Sequence, residues 1–553
     1  MLLSLIAAVA AVPLDGEGYL GGADVSVTED LEIRYYQTDD VLEGFEEYSR
    51  LLHYVEEVNR LNVLVSGSSY QLGAQVDQVL LLWNRYYLDD VLVYERELLG
   101  PGFHSPRPDL YANVEKLWWT NRFEHGTVQL GDGYTAFGRG LALNLVRNTD
   151  IDVDTSIRGA RFTWKSGDWA VTGVSGLTNP QQVLQDNPNV RIERDRSHMV
   201  TGVRLDRYGL GPASLGAHVV GYAFSRGDET GTAWHRYEDP LDAVVGGVTA
   251  ELFGVLGADV FLEADVFSYR APEWIAEGQD EPENGRALYG SAAWYVGPAT
   301  LLVEGKSYRN TEQLNTFTGS QNYEIVSGPT LEYERVITED SSAAVNSNDI
   351  DGLRVRVDLF LPVPVAPRLE LGVHRDRELG GLHFNATPET IVHPVLGADV
   401  LGTKIQALVN LGFRMDIRDG NLGVDRLAHA DLTLKFPLGP VHGELATDVQ
   451  RFWWGDNAQQ QDDFVQTASS LGLGWEGLTL VVYQDYTNNP LIDSTGNLAE
   501  NLYGALELQY HLNSATTIKG FYGAYRAGIR CAGGQCRQLP GFQGARAAVT
   551  TSF

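Results

Sequence analysis

The stretch Leu353-Arg-Val-Arg-Val-Asp-Leu359 decides the fold class. In an extended chain successive side chains point to opposite faces. Arg354, Arg356 and Asp358 therefore share one face, and Leu353, Val355, Val357 and Leu359 share the other. Working outward, the same period returns on both sides. Lys404, Gln406, Asn410, Arg414 and Asp416 alternate with Ile405, Ala407, Val409, Leu411, Phe413 and Met415. Asp259, Glu263 and Asp265 alternate with Val260, Leu262, Ala264 and Val266. Asp431 and Lys435 alternate with Leu432, Leu434 and Phe436, and Glu507 with Leu506 and Leu508.

A strand with one apolar and one charged face suits two architectures. A soluble sandwich buries the apolar face and wets the charged one. A membrane barrel turns the apolar face to lipid and the charged face to its lumen. Three features favour the barrel. Many alternating runs reach ten residues or more, and crossing the hydrocarbon takes ~9–11. Aromatic pairs such as Tyr35-Tyr36, Tyr86-Tyr87, Trp118-Trp119 and Trp453-Trp454 stand near strand ends, as interfacial girdles do. Connections alternate between short turns, such as Val296-Gly-Pro298 and Pro437-Leu-Gly-Pro440, and long stretches near residues 39–56, 84–110 and 310–349. Short periplasmic turns and long outer loops give that rhythm. The expected fold is an all-β, transmembrane antiparallel up-and-down barrel of about 22 strands, within a range of roughly 18–24. The two weakest strands are those near Leu31 to Gln37 and His393 to Leu401.

Composition agrees. Of 553 residues 43% are hydrophobic and 10% aromatic, too many for a disordered chain. No run of 18 apolar residues exists, so membrane helices are excluded. The formal charge of −32 excludes nucleic acid as a partner, since phosphate needs Lys and Arg. The first residues, Met1 to Val12, form a short apolar run with Ala8-Val9-Ala10 as a small-x-small cleavage site. Residues 1–15 are therefore expected to be a signal peptide, leaving 16–553 as a single barrel domain with long extracellular loops. The C-terminal alternation ending in Phe553 is similar to the signal that directs Gram-negative outer-membrane barrels to their assembly machinery. Cys531 and Cys536, with four residues between them, two of them glycine, are expected to form a disulfide in the oxidising exported compartment. A metal pair is the alternative, although no further ligand completes it.

The runs Phe137-Gly-Arg-Gly-Leu-Ala-Leu143, Asp150-Ile-Asp-Val-Asp-Thr-Ser-Ile-Arg-Gly159 and Cys531-Ala-Gly-Gly-Gln-Cys536 together resemble a poorly characterised family of large Gram-negative outer-membrane barrels. That resemblance implies fold and location, and no substrate. Strands begin soon after the signal, which leaves no room for the ~100–150-residue plug of a TonB-dependent receptor.

The expected lumen-lining residues are Asp259, Glu263, Asp265, Arg354, Arg356, Asp358, Lys404, Arg414, Asp416, Asp431, Lys435, Glu444, Asp448 and Glu507. The segment Asn84 to Leu110 reads as a surface loop, with folding into the lumen as its alternative. Gly138-Arg139-Gly140 reads equally as a plain turn or as an inward bend that carries Arg139 into the lumen. Asp150, Asp152 and Asp154 are a weak Ca²⁺ candidate, because the rest of a calcium loop is missing. Acidic loops, Asp39 to Glu47 and Glu273 to Glu283, read either as bridging lipopolysaccharide through divalent cations or as simply keeping the surface soluble. No G-x-S-x-G or H-E-x-x-H occurs, so neither an enzyme nor a resident cofactor is expected. The expected role is a porin-like channel passing small solutes, modestly cation-preferring. The alternatives are a surface scaffold with a closed lumen and, less favoured, an outer-membrane enzyme.

Overall fold

The computed structural model describes residues 23–41, 49–88, 91–92, 110–148, 153–181, 198–224, 241–270, 284–311, 316–318, 321–323, 350–376, 389–402, 405–418, 424–453, 463–488, 502–525, 528–532, 535–539 and 542–552. The expected signal peptide and Phe553 lie outside them, as do the side chains of the acidic loops.

Among the described residues, 24 antiparallel strands pair in chain order and close on themselves. The first strand, Asp24–Val41, pairs with Ser49–Ser66 on one side and with the last, Phe542–Ser552, on the other. The seam register sets Thr28 opposite Ser552 and Tyr36 opposite Gly544. Closure leaves no edge of unpaired N–H and C=O groups, which is what hydrocarbon demands. The strand number stands at the top of the expected range. Both weak candidates form strands, as Asp24–Val41 and Glu389–Leu401.

Two stretches read as loops are partly strand. The hairpin of Asp24–Val41 with Ser49–Ser66 continues its register to Val41 opposite Ser49, and Tyr70–Leu88 runs past Asn84. Backbone pairing alone can carry a hairpin beyond the membrane, where no apolar face is needed. The acidic run Asp39-Asp40 thus hid a strand.

The outward faces are apolar. Leu353 is 50% exposed and Leu369 57%, and Val266, Leu288, Leu396 and Leu411 continue the belt on other strands. Beside the short turns stand outward aromatics, among them Trp164, Trp169, Tyr208, Tyr295, Trp475 and Tyr510. Arg207 lies over the Trp169 ring at 4.9 Å and bonds Asp168 at 3.2 Å, so cation and ring share the boundary. These turns mark the periplasmic end.

Candidate functional site: the inward loop and the charged lumen

Between the strands Gly126–Gly133 and Val153–Ser166 the chain turns inward. Thr135–Phe137 pairs with Leu143–Leu145, Phe137 opposite Leu143, to make a small hairpin separate from the wall. Its apolar side chains Phe137, Leu141, Leu143 and Leu145 are at most 1% exposed. They form one cluster with lumen-facing residues from Ile157 through Val200, Val220, Val245 and Phe267 to Ile350. Burying each such side chain stabilises by about 1.5–3 kcal/mol, enough in sum to fix the hairpin against the wall.

Polar contacts hold its two ends and its tip. At the base, Tyr134 donates its hydroxyl to Asp154 at 2.6 Å. Lys116 and Arg147 approach the same carboxylate at 3.2 and 3.6 Å. Farther along, the Tyr222 hydroxyl donates to the Ala142 carbonyl. At the tip, the backbone N–H of Arg139 donates to Glu263 at 2.6 Å, while the Arg139 guanidinium lies 4.6 Å from the Phe261 ring centre. Gly138 makes this approach possible. Its φ is +61°, and a Cβ there would stand 1.8 Å from Glu263 Oε1. The inward bend, one of two readings of Gly138-Arg139-Gly140, is the arrangement present. It puts the Arg139 side chain on the exposed side of the hairpin. Residues 93–109, the middle of the other candidate for an inward loop, lie outside the described residues.

Around the rest of the lumen, charges meet in pairs. A strand sets residues i and i+2 on one face, and several pairs use that spacing: Arg414 with Asp416 at 2.7 Å, Arg356 with Asp358 at 2.9 Å, and Arg204 with Asp206 at 2.7 Å. Others cross strands. Arg354 bridges Glu304 at 2.8 Å and Glu370 at 3.1 Å, and Arg60 meets Asp77 at 2.8 Å. His393 and His429 approach through their Nε2 atoms at 2.8 Å, and His429 Nδ1 lies 3.2 Å from Asp431. At the periplasmic end Lys435 and Glu444 are 3.4 Å apart and more than half exposed. Arg414, Asp416 and Arg354, nearer the outer end, are buried.

The sequence-predicted residues therefore divide. Glu263 and Asp265 sit beneath the hairpin with His218. Arg354, Arg356 and Asp358, on the strand that also carries Ile350, and Arg414, Asp416, Lys435 and Glu444 farther round the barrel belong to ion pairs, and Asp431 lies beside His429. Asp448 accepts from Gln450 at 2.9 Å. Asp259 lies near the turn at Gly257, accepting the Gly254 N–H at 2.9 Å. Glu507 faces Val481 and Phe521 in register, away from both groups. Lys404, Asp150 and Asp152 lie outside the described residues, and Asp154 is occupied by Tyr134, Lys116 and Arg147. His218, Tyr222 and the three leucines of the hairpin are site residues that sequence reasoning missed. Their only signal was the Leu141-Ala-Leu143-Asn-Leu145 alternation directly after a glycine pair.

No family model matches the chain, and no curated protein matches it. Among solved structures it is similar to the siderophore receptor PirA of Pseudomonas aeruginosa, with 9% identity, 96% of this chain and 80% of that chain covered, and a TM-score of 0.46. It is similar to the outer membrane protein opdK of Pseudomonas aeruginosa, with 14% identity, coverage of 76% and 100%, and a TM-score of 0.38. A BenF-like porin from Pseudomonas fluorescens Pf-5 gives 11% identity, coverage of 75% and 98%, and a TM-score of 0.38. A closed antiparallel barrel with an apolar outer belt, an aromatic girdle and an ion-paired interior is the build of an outer-membrane protein, and the outer membrane is where this chain resides.

Proposed function

We propose that the chain is a porin-like channel that passes small polar solutes across the outer membrane, with the hairpin Tyr134–Asn148 as its constriction. The observation that carries this reading is the hairpin itself. It is packed against the inner wall from Ile157 to Ile350, and paired charges line that wall and the strands beyond it. Mixed charges at close range give a transverse field, which suits hydrated polar solutes over apolar ones. With −32 overall and much of the acid in loops, cations are expected to be modestly preferred. Arg139 on the exposed side of the hairpin tempers that preference. No resident cofactor or enzymatic activity is part of this reading; the partners are outer-membrane lipid, lipopolysaccharide and the barrel assembly machinery. Conductance and reversal potential in a planar bilayer test it.

A second reading is a surface scaffold whose lumen does not conduct. One observation favours it: Arg34, Asp77, Lys116, His374 and Arg414, spread round the ring, are all buried. Stable silence in the same bilayer experiment, with correctly inserted protein, would select this reading.

A further inference from the structure

Under the tip of the hairpin two strands, Ala213–Phe224 and Ala258–Arg270, bring His218, Glu263 and Asp265 together. One ligand atom from each lies within 4.8 Å of the other two. His218 and Asp265 are not on neighbouring strands. Gly247 is the register partner of both, and the two side chains meet across it at 2.6 Å. A Cβ at Gly247 would stand 1.9 Å from Asp265 Oδ1 and 2.6 Å from His218 Nε2, so only glycine leaves this space.

The charges do not balance locally. Glu263 is 3% exposed and Asp265 2%, yet among the described residues neither forms an ion pair with Lys or Arg. The nearest guanidiniums are spent elsewhere: Arg204 on Asp206 at 2.7 Å, and Arg139 over the Phe261 ring. Glu263 Oε1 and Asp265 Oδ2 are buried with no hydrogen-bond partner. Two such carboxylates are neutralised either by protons or by a bound cation, and the empty acceptor atoms converging with His218 suit the cation.

We propose that His218, Glu263 and Asp265 form a binding site for a divalent transition-metal cation of the Zn²⁺ or Mn²⁺ class. One imidazole nitrogen and two carboxylate oxygens suit borderline Zn²⁺ and the harder Mn²⁺, with water in the remaining positions. Nε2 of His218 gives its lone pair to the ion, and Nδ1 then carries the proton. Arg204 loses its 3.3 Å contact with Nδ1 and keeps Asp206 and Thr249 as acceptors. Because Glu263 Oε2 accepts the Arg139 N–H, the cation also fixes the hairpin tip to the wall.

The test uses the full chain, refolded in detergent, stripped with chelator and titrated calorimetrically with Zn²⁺ or Mn²⁺ alone. Folding of every variant is checked by heat-modifiable mobility. One saturable site per chain is expected, with an affinity on the order of micromolar. Glu263→Gln with Asp265→Asn should weaken it at least about 100-fold. Asp259→Asn, a carboxylate on the same strand away from the cluster, should leave it unchanged. If the double variant does not fold, Asp265→Asn alone is compared, and Co²⁺ absorption in the visible reports whether the nitrogen–oxygen site forms. No saturable binding by the wild type, or equal binding by all variants, would overturn the site and leave protons as the neutralising charge. The readout needs no conductance, so its failure and that of the channel reading are separate results.

Discussion

The Glu263 carboxylate accepts the backbone N–H of Arg139 at 2.6 Å across 124 residues of chain, and Gly138 is the residue that lets the two meet. Gly138→Val adds a β-branched side chain at φ +61°, directly against Glu263 Oε1. Backbone strain of that kind costs about 1–3 kcal/mol, and the tip can relieve it by leaving the wall. Limited proteolysis should then cut between Tyr134 and Asn148 faster than in the wild type. Unchanged cleavage rates would show that the tip contact does not hold the hairpin.

Arg354 is expected to be the most costly single charge to remove from the lumen's ion pairs. It is 3% exposed and bridges Glu304 and Glu370. Arg354→Ala leaves the buried Glu370 and the part-buried Glu304 without their shared partner, a loss of about 3–5 kcal/mol. Lys435→Ala breaks a half-exposed pair with Glu444 and should cost less than about 1 kcal/mol. Urea unfolding in detergent separates the two; similar midpoints would mean that the burial of Arg354 has no energetic consequence.

Depth in the membrane should grade the cost of an outward charge. Val355 stands five residues from Phe360, an exposed aromatic of the periplasmic girdle, and Val357 only three. At ~3.3 Å per residue on a tilted strand, Val355 lies near mid-height. Val355→Arg should cost about 2–4 kcal/mol, and Val357→Arg less. Arg356→Gln faces the lumen and should fold normally despite losing its contact with Asp358. Refolding yields into vesicles give the order, and equal yields for all three would reverse the face assignment.

The barrel was largely legible because period 2 survives in single strands. Leu353 to Leu359 shows both faces without any neighbour, and Pro or Gly marks most short turns. What failed needed information from other strands. Leu141, Leu143 and Leu145 look like one more lipid-facing alternation; only packing against Val200, Val245 and Phe267 turns them inward. The meeting of His218 with Asp265 depends on register, since Gly247 must fall between them. The strand running to Val41 was hidden by its acids, because outside the membrane hydrogen bonding continues without an apolar face.

Cys531 and Cys536 are register partners in the hairpin Gly528–Ala532 with Gln535–Leu539. Backbone pairing of that kind brings two residues to ~4.5–5.5 Å between Cα atoms, within disulfide range. Unreduced protein should therefore resist alkylation and gain two labels after reduction. The closed loop is short, so the bond should contribute toward the low end of about 2–4 kcal/mol. Two labels without reductant would leave the thiols free.

The most direct measurement is single-channel current through the refolded full chain in a planar bilayer, beside a variant in which residues 135–145 are replaced by a short Gly-Ser linker. Discrete openings are expected for both chains, with larger steps in the variant because the constriction is gone. Under a salt gradient the reversal potential should show a modest cation preference that shrinks between ~0.01 and 1 M salt, as the Debye length falls from ~30 to 3 Å. Inserted protein that carries no current in either form would contradict the channel.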